Sequence, residues 1–288
     1  MLLTCQSDVA PLRRVALKHA RDAFVSPERI AGQWVDLAYT AEPDFDEACR
    51  EYDAFVNLLE SFSVAVEWLP AEDEGLDSLY VRDASIATDR GVVLCAMGKA
   101  ARAAEPAAQR RFFESRGRAI AGGISGAGRV EGGDATWLRG DVLAVGRGYR
   151  TNAHGIEQLR GLLPDVDVIE VPLPHWRGPG DVLHLMSIIS PLADDLLLVY
   201  SPLMVVPFRN ELLARGFSLV EVPEEEYDSQ GCNVLAVAPR VAVALDGNPE
   251  TRRRMEAAGV EVHAYSGREI SLKGCGGPTC LTRPLERG

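Results

Sequence analysis

The sequence lacks the features of a membrane, secreted or nucleic-acid-binding protein. Its longest apolar stretch, residues 196–208, is broken by one serine and two prolines and is too short to span a bilayer, so no transmembrane helix is expected. The N-terminus lacks a basic region and an apolar segment long enough for export. We therefore expect a cytoplasmic protein.

Cysteines are few and scattered, which is typical of a chain from a reducing compartment. The six thiols belong to Cys5, Cys49, Cys95, Cys232, Cys275 and Cys280. The last two are close enough in sequence to pair as a disulfide or to supply half of a zinc site. No second Cys/His pair has the spacing of a zinc finger, so no structural metal is expected.

Basic residues are outnumbered, because 30 Lys and Arg stand against 42 Asp and Glu for a net charge of −12. This acidity argues against binding to nucleic acid or anionic membranes and favours the approach of a cationic small molecule, although solubility alone would also account for it. The expected partner is therefore a small molecule, and homo-oligomerisation is left open.

Glycine-rich phosphate loops and flexible linkers are missing as well. No such loop follows the first apolar strand near residues 14–19, and the glycine-rich segment 122–128 opens no convincing helix, which argues against a nucleotide-binding fold. No Ser/Gly linker or low-complexity segment divides the chain. We therefore predict one domain over residues 1–288.

A regular α/β rhythm runs through the whole sequence. Five times, an amphipathic helical pattern is followed by a short alternating strand that ends at a turn. The predicted helices cover residues 44–62, 105–117, 153–163, 208–216 and 249–258. Further apolar strands lie between these units, so the chain reads as a strand-strand-helix-strand unit repeated five times.

The most informative single residue is a thiol on an unusual loop near the C-terminus. Cys280 ends the segment Gly276-Gly-Pro-Thr-Cys280, whose glycines and proline favour a loop over a helix or a strand. A cysteine in such a place can be a small buried hydrophobe, or a nucleophile if a histidine and a carboxylate lie beside it.

Candidate partners for this thiol are present among five histidines and several acids. His184 follows a Pro/Gly-rich loop and opens an apolar strand, where a side chain can face a cleft. His175 on the same loop is an alternative histidine partner for the thiol, and His154 fits an ordinary position on a helix surface. Glu131 and Asp134 flank two glycines that permit close approach of backbone to a ligand, although both could be solvated turn residues.

A second acidic cluster lies at residues 77–83. In a strand, Asp77 and Asp83 would face one side and Tyr80 and Arg82 the other. A buried Asp83 needs either Arg82 as a structural partner or a cationic ligand, and the residues alone leave both open.

Four segments in chain order resemble a known group of enzymes: Tyr80-Val-Arg-Asp83, Glu131-Gly-Gly-Asp134, His184-Leu and Gly-Gly-Pro-Thr-Cys280. They are similar to the guanidine-modifying enzymes, which include dimethylarginine dimethylaminohydrolase, arginine deiminase and glycine amidinotransferase. The resemblance implies the pentein fold, a five-bladed α/β propeller of ββαβ units around a central polar site. It also implies that no metal or organic cofactor is needed.

The resemblance assigns roles to individual residues. It makes Cys280 the nucleophile, His184 the general acid and base, and Glu131 the carboxylate next to that histidine. Asp83 would grip the guanidinium, Asp77 would lie close to the α-amino end of the substrate, and the arginines would bind its carboxylate. The residues expected to contact substrate are Asp77, Tyr80, Asp83, Arg102, Asp134 and Arg150.

The implied reaction is hydrolysis of a guanidino C–N bond, in arginine or an N-methylated arginine, through a covalent thiouronium on Cys280. The products would be citrulline and ammonia or an amine. An amidinotransferase, a hydrolase of ureido compounds such as citrulline, and a non-catalytic amino-acid-binding pentein are the alternatives.

One position departs from the pattern of the resembled enzymes. Arginine deiminases and amidinotransferases characteristically have Asp two residues after the histidine, where this chain has Met186. An apolar group in place of a carboxylate favours an N-substituted guanidine or a neutral ureido substrate over unmodified arginine. Asp77, where deiminases commonly have Asn, indicates the same.

Overall fold

Strands and helices alternate along the chain, of which the computed structural model describes residues 4–181 and 183–288. The strands are β1 (Leu12–Leu17), β2 (Ala65–Trp68), β3 (Ser85–Thr88), β4 (Gly91–Leu94), β5 (Ile120–Gly123), β6 (Ala135–Arg139), β7 (Val142–Arg147), β8 (Asp167–Pro172), β9 (Ile189–Ala193), β10 (Leu196–Val199), β11 (Ser218–Glu221), β12 (Val234–Ala238), β13 (Val241–Leu245), β14 (Glu261–Tyr265) and β15 (Arg283–Arg287). The α-helices are α1 (Ala20–Phe24), α2 (Pro27–Gln33), α3 (Phe45–Ser61), α4 (Glu105–Ser115), α5 (Ala153–Leu162), α6 (Val206–Ala214) and α7 (Pro249–Ala257).

The strands of the described chain form five sheets of three strands each. In every sheet an antiparallel pair is extended by a parallel strand, as in β6-β7-β8, where β7 runs antiparallel to β6 and parallel to β8. A parallel neighbour requires a crossover connection, and a helix supplies it in each unit. Five ββαβ units therefore make up the fold, as the rhythm of the sequence predicts.

One sheet is assembled from both ends of the chain. Strand β1 pairs antiparallel with β15 and parallel with β2, so the last strand completes the first unit. The sequence analysis did not identify β15, because three of its five residues are charged. This pairing closes the ring of units and anchors the loop that carries Cys280, which ends just before β15.

The helices begin and end close to where the sequence predicts them. Helix α3 begins after Asp44, whose carboxylate accepts a hydrogen bond from the Glu47 backbone N–H at 2.8 Å, an N-cap that satisfies an otherwise unpaired donor. Its buried face includes Tyr52, Phe55 and Leu59, each fully enclosed. None of the helices in the described ranges is long and apolar enough to cross a membrane.

The first strands of the units pack against one another at the centre of the molecule. Strand β9 lies beside β12 and β6, and β15 lies beside β3. The loops that precede these strands therefore meet at one place. Residues 77–83 do not form the strand that the alternation of faces would require, because residues 76–79 form a 3₁₀ helix followed by turns. Asp77, Asp83 and Tyr80 therefore lie on a bent loop, and their side chains do not alternate between two faces as they would in a strand.

Candidate active site

A cavity of about 190 Å³ lies where these central loops meet. Each of the five units contributes to its wall through the loop before its first strand. The lining includes Asp77, Tyr80, Asp83, Gly133, His184, Met186, Asn233 and Cys280. The shared position of these loops in the repeat explains why residues far apart in sequence converge.

His184 and Glu131 form a buried pair on one side of this cavity. The His184 Nε2 atom lies 2.7 Å from Glu131 Oε2, and both side chains are almost fully enclosed. The other carboxylate oxygen of Glu131 accepts hydrogen bonds from the backbone N–H groups of Gly98 and Lys99, each at 2.9 Å. These donors fix the carboxylate, and the carboxylate in turn fixes the imidazole ring.

The charges around His184 favour its protonated form. Burial opposes a positive charge on the ring, but the carboxylates of Asp83, Asp134 and Glu131 outweigh it and raise the pKa of His184 to about 9. For Glu131, burial acts against the charged form, but the hydrogen bond and charge of His184 prevail and lower the pKa of the carboxyl. An imidazolium paired with a carboxylate is therefore the expected state at neutral pH.

Asp83 lies on the opposite side of the imidazole from Glu131. Its Oδ1 is 3.9 Å from His184 Nδ1 and has no hydrogen-bond partner within the described chain, whereas its Oδ2 pairs with Arg102. Gly133 makes this arrangement possible, since a Cβ there would lie 2.5 Å from His184 Nδ1 and 2.7 Å from Asp83 Oδ1. A buried carboxylate oxygen without a donor is costly unless a ligand supplies one.

Cys280 is partly buried in the same cavity, and Asn233 contacts its sulfur. The Asn233 Nδ2 atom donates to Cys280 Sγ at 3.2 Å, while its Oδ1 accepts from the Thr279 backbone N–H and hydroxyl at 3.1 and 2.6 Å. Burial, followed by the negative charge of Asp83, raises the pKa of the Cys280 thiol to about 11, and the Asn233 hydrogen bond acts in the opposite direction. The unliganded thiol is thus largely protonated at neutral pH.

The loop that carries Cys280 is packed tightly against Tyr80. A Cβ on Gly276 would lie 2.4 Å from Tyr80 Cε1, so only glycine fits there without movement. The Tyr80 hydroxyl donates to the Ile270 backbone carbonyl at 3.1 Å. Tyr80 therefore lines the cavity as predicted, and it also supports the loop that presents the thiol.

The two predicted carboxylate anchors are in different situations. Arg102 is enclosed and gives hydrogen bonds to Glu105, to Asp83 and to the backbone carbonyls of Asp77 and Tyr80. Its donors are largely used by the protein. Arg150 has one longer contact, 3.4 Å from Nη1 to Glu131 Oε2, and lines the cavity. Arg150 is the better placed of the two to bind a ligand anion.

Most of the chain matches a known enzyme family. A family model described as arginine deiminase matches residues 76–214 and 205–287. The chain belongs to the arginine deiminase family. The matched ranges cover every residue predicted to act in the site.

The curated relatives differ in how much of each protein aligns with this chain. Dimethylarginine dimethylaminohydrolase of Pseudomonas aeruginosa is 26% identical over 264 residues, which cover 89% of this chain and 96% of that enzyme. The uncharacterized Bacillus subtilis protein YkgA is 29% identical over 83% of this chain and 80% of its own length. Arginine deiminase of Mycobacterium marinum is 31% identical, over 55% of this chain and only 46% of that enzyme.

Solved structures of guanidino-modifying enzymes share the fold over nearly the whole chain. The Pseudomonas aeruginosa dimethylarginine dimethylaminohydrolase complexed with citrulline has a TM-score of 0.75 at 23% identity, covering 96% of this chain and 99% of that one. The Microseira wollei amidinotransferase SxtG has a TM-score of 0.80 at 15% identity, covering 99% and 97%. The predicted pentein fold is therefore confirmed.

Asp134, another residue predicted to contact substrate, does not line the cavity. Asp134 is fully buried, and its oxygens accept from the Thr151 hydroxyl at 2.6 Å and the Leu185 backbone N–H at 3.0 Å. Burial raises the pKa of Asp134 to about 6. Asp134 thus holds the start of the segment after His184, and a direct contact with substrate has no support here. The rival histidine His175 is exposed and pairs with the Tyr149 hydroxyl.

Three side chains could share a metal ion by position alone. Asp83, Glu131 and His184 each offer one ligand atom, and these atoms lie within 4.8 Å of one another. Carboxylates and imidazole are ordinary ligands of divalent metals. Here, however, both Glu131 oxygens already accept hydrogen bonds, one of them from the imidazole itself. The arrangement fits an acid and base pair better than a ligand set.

Sequence reasoning missed Asn233 and Lys99. Asn233 comes immediately before the first strand of its unit, in the same loop of the repeat from which other units present Asp83, His184 and Cys280. A polar residue in that loop is the signal that could have pointed to it. Lys99 follows Gly98 in a loop, and its Nζ donates to Asp77 Oδ2 at 2.6 Å. Nothing in the sequence indicated that contact.

Proposed function

We propose that this chain hydrolyses the guanidino group of a small substrate through a covalent intermediate on Cys280. The observation that carries the proposal is the unpartnered Oδ1 of Asp83, buried beside His184 in the cavity that also contains the thiol. A guanidinium supplies both the hydrogen-bond donors and the positive charge that this oxygen needs. Residues 1–288 would act as one domain in the cytoplasm.

Substrate binding would generate the reactive thiolate. In the unliganded site burial and the charge of Asp83 raise the thiol pKa. A guanidinium bound to Asp83 neutralises that negative charge and places a positive one near the sulfur, so the thiolate becomes more favourable. The imidazolium of His184 contributes in the same direction. The enzyme would thus ionise its nucleophile when the substrate is in place.

The reaction would then proceed in two halves. The Cys280 sulfur forms a bond to the guanidino carbon, and the C–N bond to the leaving nitrogen breaks as that nitrogen takes a proton from His184. Ammonia or an amine leaves, and a thiouronium remains on the sulfur. His184 then removes a proton from water, which attacks the same carbon. The C–S bond breaks, and a ureido product and the free thiol are released.

Met186 bears on which nitrogen substituents fit. It is enclosed and lines the cavity next to the reacting groups. An apolar side chain offers no acceptor to a guanidino N–H, so it favours a nitrogen that carries alkyl groups, or a neutral ureido group, over an unsubstituted guanidinium. The amine released would then be a methylamine or a related alkylamine, and citrulline would be the ureido product within the arginine series.

A product assay over a small panel tests the proposal. Arginine, monomethylarginine, dimethylarginine and citrulline are incubated with the protein, and the ureido product, ammonia and amines are measured. In parallel, intact-mass spectrometry of His184→Gln with each compound looks for a mass increase on Cys280, with the double variant that also carries Cys280→Ser as the matched control.

The proposal expects a ureido product from at least one N-substituted compound and an adduct that depends on Cys280. Product that forms only when a second amine is added would assign an amidinotransferase instead. Absence of both product and adduct across guanidino and ureido compounds, in folded protein, would favour a non-catalytic binding protein.

A further inference from the structure

The cavity holds an ammonium group of the protein's own, that of Lys99. Lys99 donates from Nζ to Asp77 Oδ2 at 2.6 Å and to the Leu37 backbone carbonyl at 2.8 Å. The pair is well enclosed, with 18% of the lysine side chain and 7% of the aspartate side chain exposed. The carboxylate that a ligand ammonium would use is therefore already neutralised by a cation of the protein.

An α-amino acid brings one cation and one anion to its binding site, and both need partners when they leave water. For the anion, Arg150 is available, because its only contact with a charged group in the described chain is 3.4 Å long. For the cation, the cavity offers three carboxylates, those of Asp77, Asp83 and Asp181. Asp83 is assigned to the guanidinium in the proposed reaction, and Lys99 neutralises Asp77.

Asp181 is the remaining acid, and its position makes it a poor substitute. It is partly exposed and also lines a neighbouring cavity of about 320 Å³ that contains none of Asp77, Asp83 or Arg150. A carboxylate between two cavities is hydrated, so a ligand ammonium gains little from it. Among the described residues, Arg150 is thus available to an anion, whereas the charge of Asp77 is already neutralised by Lys99.

We propose that the substrate is a guanidino carboxylate, or its N-alkyl or ureido counterpart, that has no α-ammonium group. The proposal rests on the proposed function for the identity of the reacting group, but its argument concerns the charges of Arg150, Asp77 and Lys99. Arg150 would bind the carboxylate through its planar guanidinium, and the third N–H of Lys99 would be available to the same carboxylate.

Matched pairs of compounds test this directly in the unmodified protein. Each pair differs only in the α-amino group: arginine and 5-guanidinopentanoate, dimethylarginine and 5-(dimethylguanidino)pentanoate, and citrulline and 5-ureidopentanoate. We expect the compound without the amino group to have the higher kcat/KM, by at least about tenfold in the pair that reacts best, because its partner must bury an unpaired ammonium. A tenfold preference for the amino acid would overturn the proposal.

Replacing the lysine tests the cause of the preference. Lys99→Met keeps the length of the side chain, removes the ammonium and frees Asp77, so the ratio of kcat/KM values should move at least about tenfold toward the amino acid. The matched control is Lys273→Met, since Lys273 pairs with Glu269 outside the cavity and the ratio should not change. A ratio that Lys99→Met leaves unaltered would contradict the role of Lys99.

A binding measurement separates this inference from the proposed reaction. Calorimetric titration of Cys280→Ser with each pair compares affinities without any turnover. Tighter binding of the compounds without an amino group supports the inference even if the wild-type protein hydrolyses none of them, which would overturn only the reaction. Equal or weaker binding overturns the inference even if hydrolysis is observed.

Discussion

The two ends of the central cavity differ in how their charges are satisfied. At the reacting end, His184 and Glu131 are held 2.7 Å apart, but Asp83 keeps a buried oxygen without a donor. At the other end, the Asp77 carboxylate is already paired with Lys99. Asp83 therefore presents an unpaired oxygen to a cation, whereas Asp77 already has a cation of the protein as its partner.

This difference separates what the site does from what it selects. The groups at the reacting end are the ones on which the resemblance to guanidine-modifying enzymes depends, and in the proposed function they determine the type of reaction. Other contacts in the cavity depend on individual residues such as Lys99, which pairs with Asp77, and Met186, and in the proposals above they determine which molecule fits. Membership in the arginine deiminase family therefore supports the chemistry more strongly than it supports arginine as the substrate.

Removing the thiol should produce the largest effect at the reacting end. Cys280→Ser should lower kcat by at least about 10³-fold, because a hydroxyl has no base strong enough to ionise it when His184 is protonated. Steady-state product formation measures the loss, and unchanged circular dichroism shows that the fold remains. Activity within tenfold of the wild type would remove Cys280 from the mechanism.

Neutralising Glu131 should have the next largest effect. Glu131→Gln keeps the shape but removes the charge that holds the imidazolium, so kcat should fall by about 10²–10³-fold and the pKa of His184 should drop from about 9. Kinetics and the imidazole resonances in NMR spectra report the two changes. Glu170→Gln, on strand β8 away from the cavity, is the control. A fall in kcat without a change in the His184 pKa would indicate a structural defect only.

The pH profile tests the two groups of the reacting end together. Reaction requires thiolate and imidazolium at once, and the thiol has a pKa of about 11 and His184 one of about 9. The fraction in this state rises tenfold per pH unit up to about pH 9, is constant to about pH 11 and falls above it. Thus kcat/KM should rise roughly 50-fold from pH 7 to pH 9, where half of His184 is deprotonated. An optimum at or below pH 7 would contradict the assignment.

The free energy of unfolding should decrease with rising pH over the range in which kcat/KM increases. His184 has a raised pKa in the folded chain, so its contribution to folding is complete below its ordinary pKa near ~6.5 and is lost as the pH rises through about 9. Denaturant unfolding at pH 6 and pH 9.5 would detect this loss. His184→Gln should remove that part of the pH dependence.

Much of the fold and of the reacting end could be predicted from the sequence. The helices follow from the spacing of apolar residues, and Cys280, His184, Glu131 and Asp83 follow from short segments in a characteristic order. Contacts such as Lys99 with Asp77 could not be predicted, because they depend on how two loops meet in space. The alternation of side chains considered for residues 77–83 does not occur, because these residues form a 3₁₀ helix and turns. Buried loops at the centre carry the same residue types as strands, so the sequence does not separate the two.

The buried arginines illustrate the same limit. Equal spacing from an acid made Arg102 and Arg150 look equivalent, since each lies nineteen residues after Asp83 or Glu131. Only the structure shows that Glu105 and Asp83 use most of the donors of Arg102. Burial decides which charged residue supports the site and which is available to a ligand, and sequence spacing does not reveal burial.

The two arginines should therefore respond differently to substitution. Arg150→Met should raise KM by about 10- to 50-fold with little change in kcat, because it removes a ligand contact shared by ground state and transition state. Arg102→Met should instead lower the melting temperature, because Glu105 and Asp83 lose their buried partner. Kinetics and thermal unfolding of both variants make the comparison. Equal rises in KM without destabilisation would restore Arg102 as an anchor.

The smallest expected effect concerns the packing that presents the thiol. Gly276→Ala places a Cβ 2.4 Å from Tyr80 Cε1, so the loop must shift, at a cost of about 1–3 kcal/mol in the free energy of unfolding. Gly32→Ala is the control, because nothing lies within 4 Å of a Cβ there and alanine favours its helix α2. Urea unfolding should show Gly276→Ala destabilised and Gly32→Ala neutral or slightly stabilised. Because the shifted loop carries Cys280, kcat should fall with KM nearly unchanged. A variant that loses stability but keeps full activity would show that Asn233 and Thr279, rather than Tyr80, position the thiol.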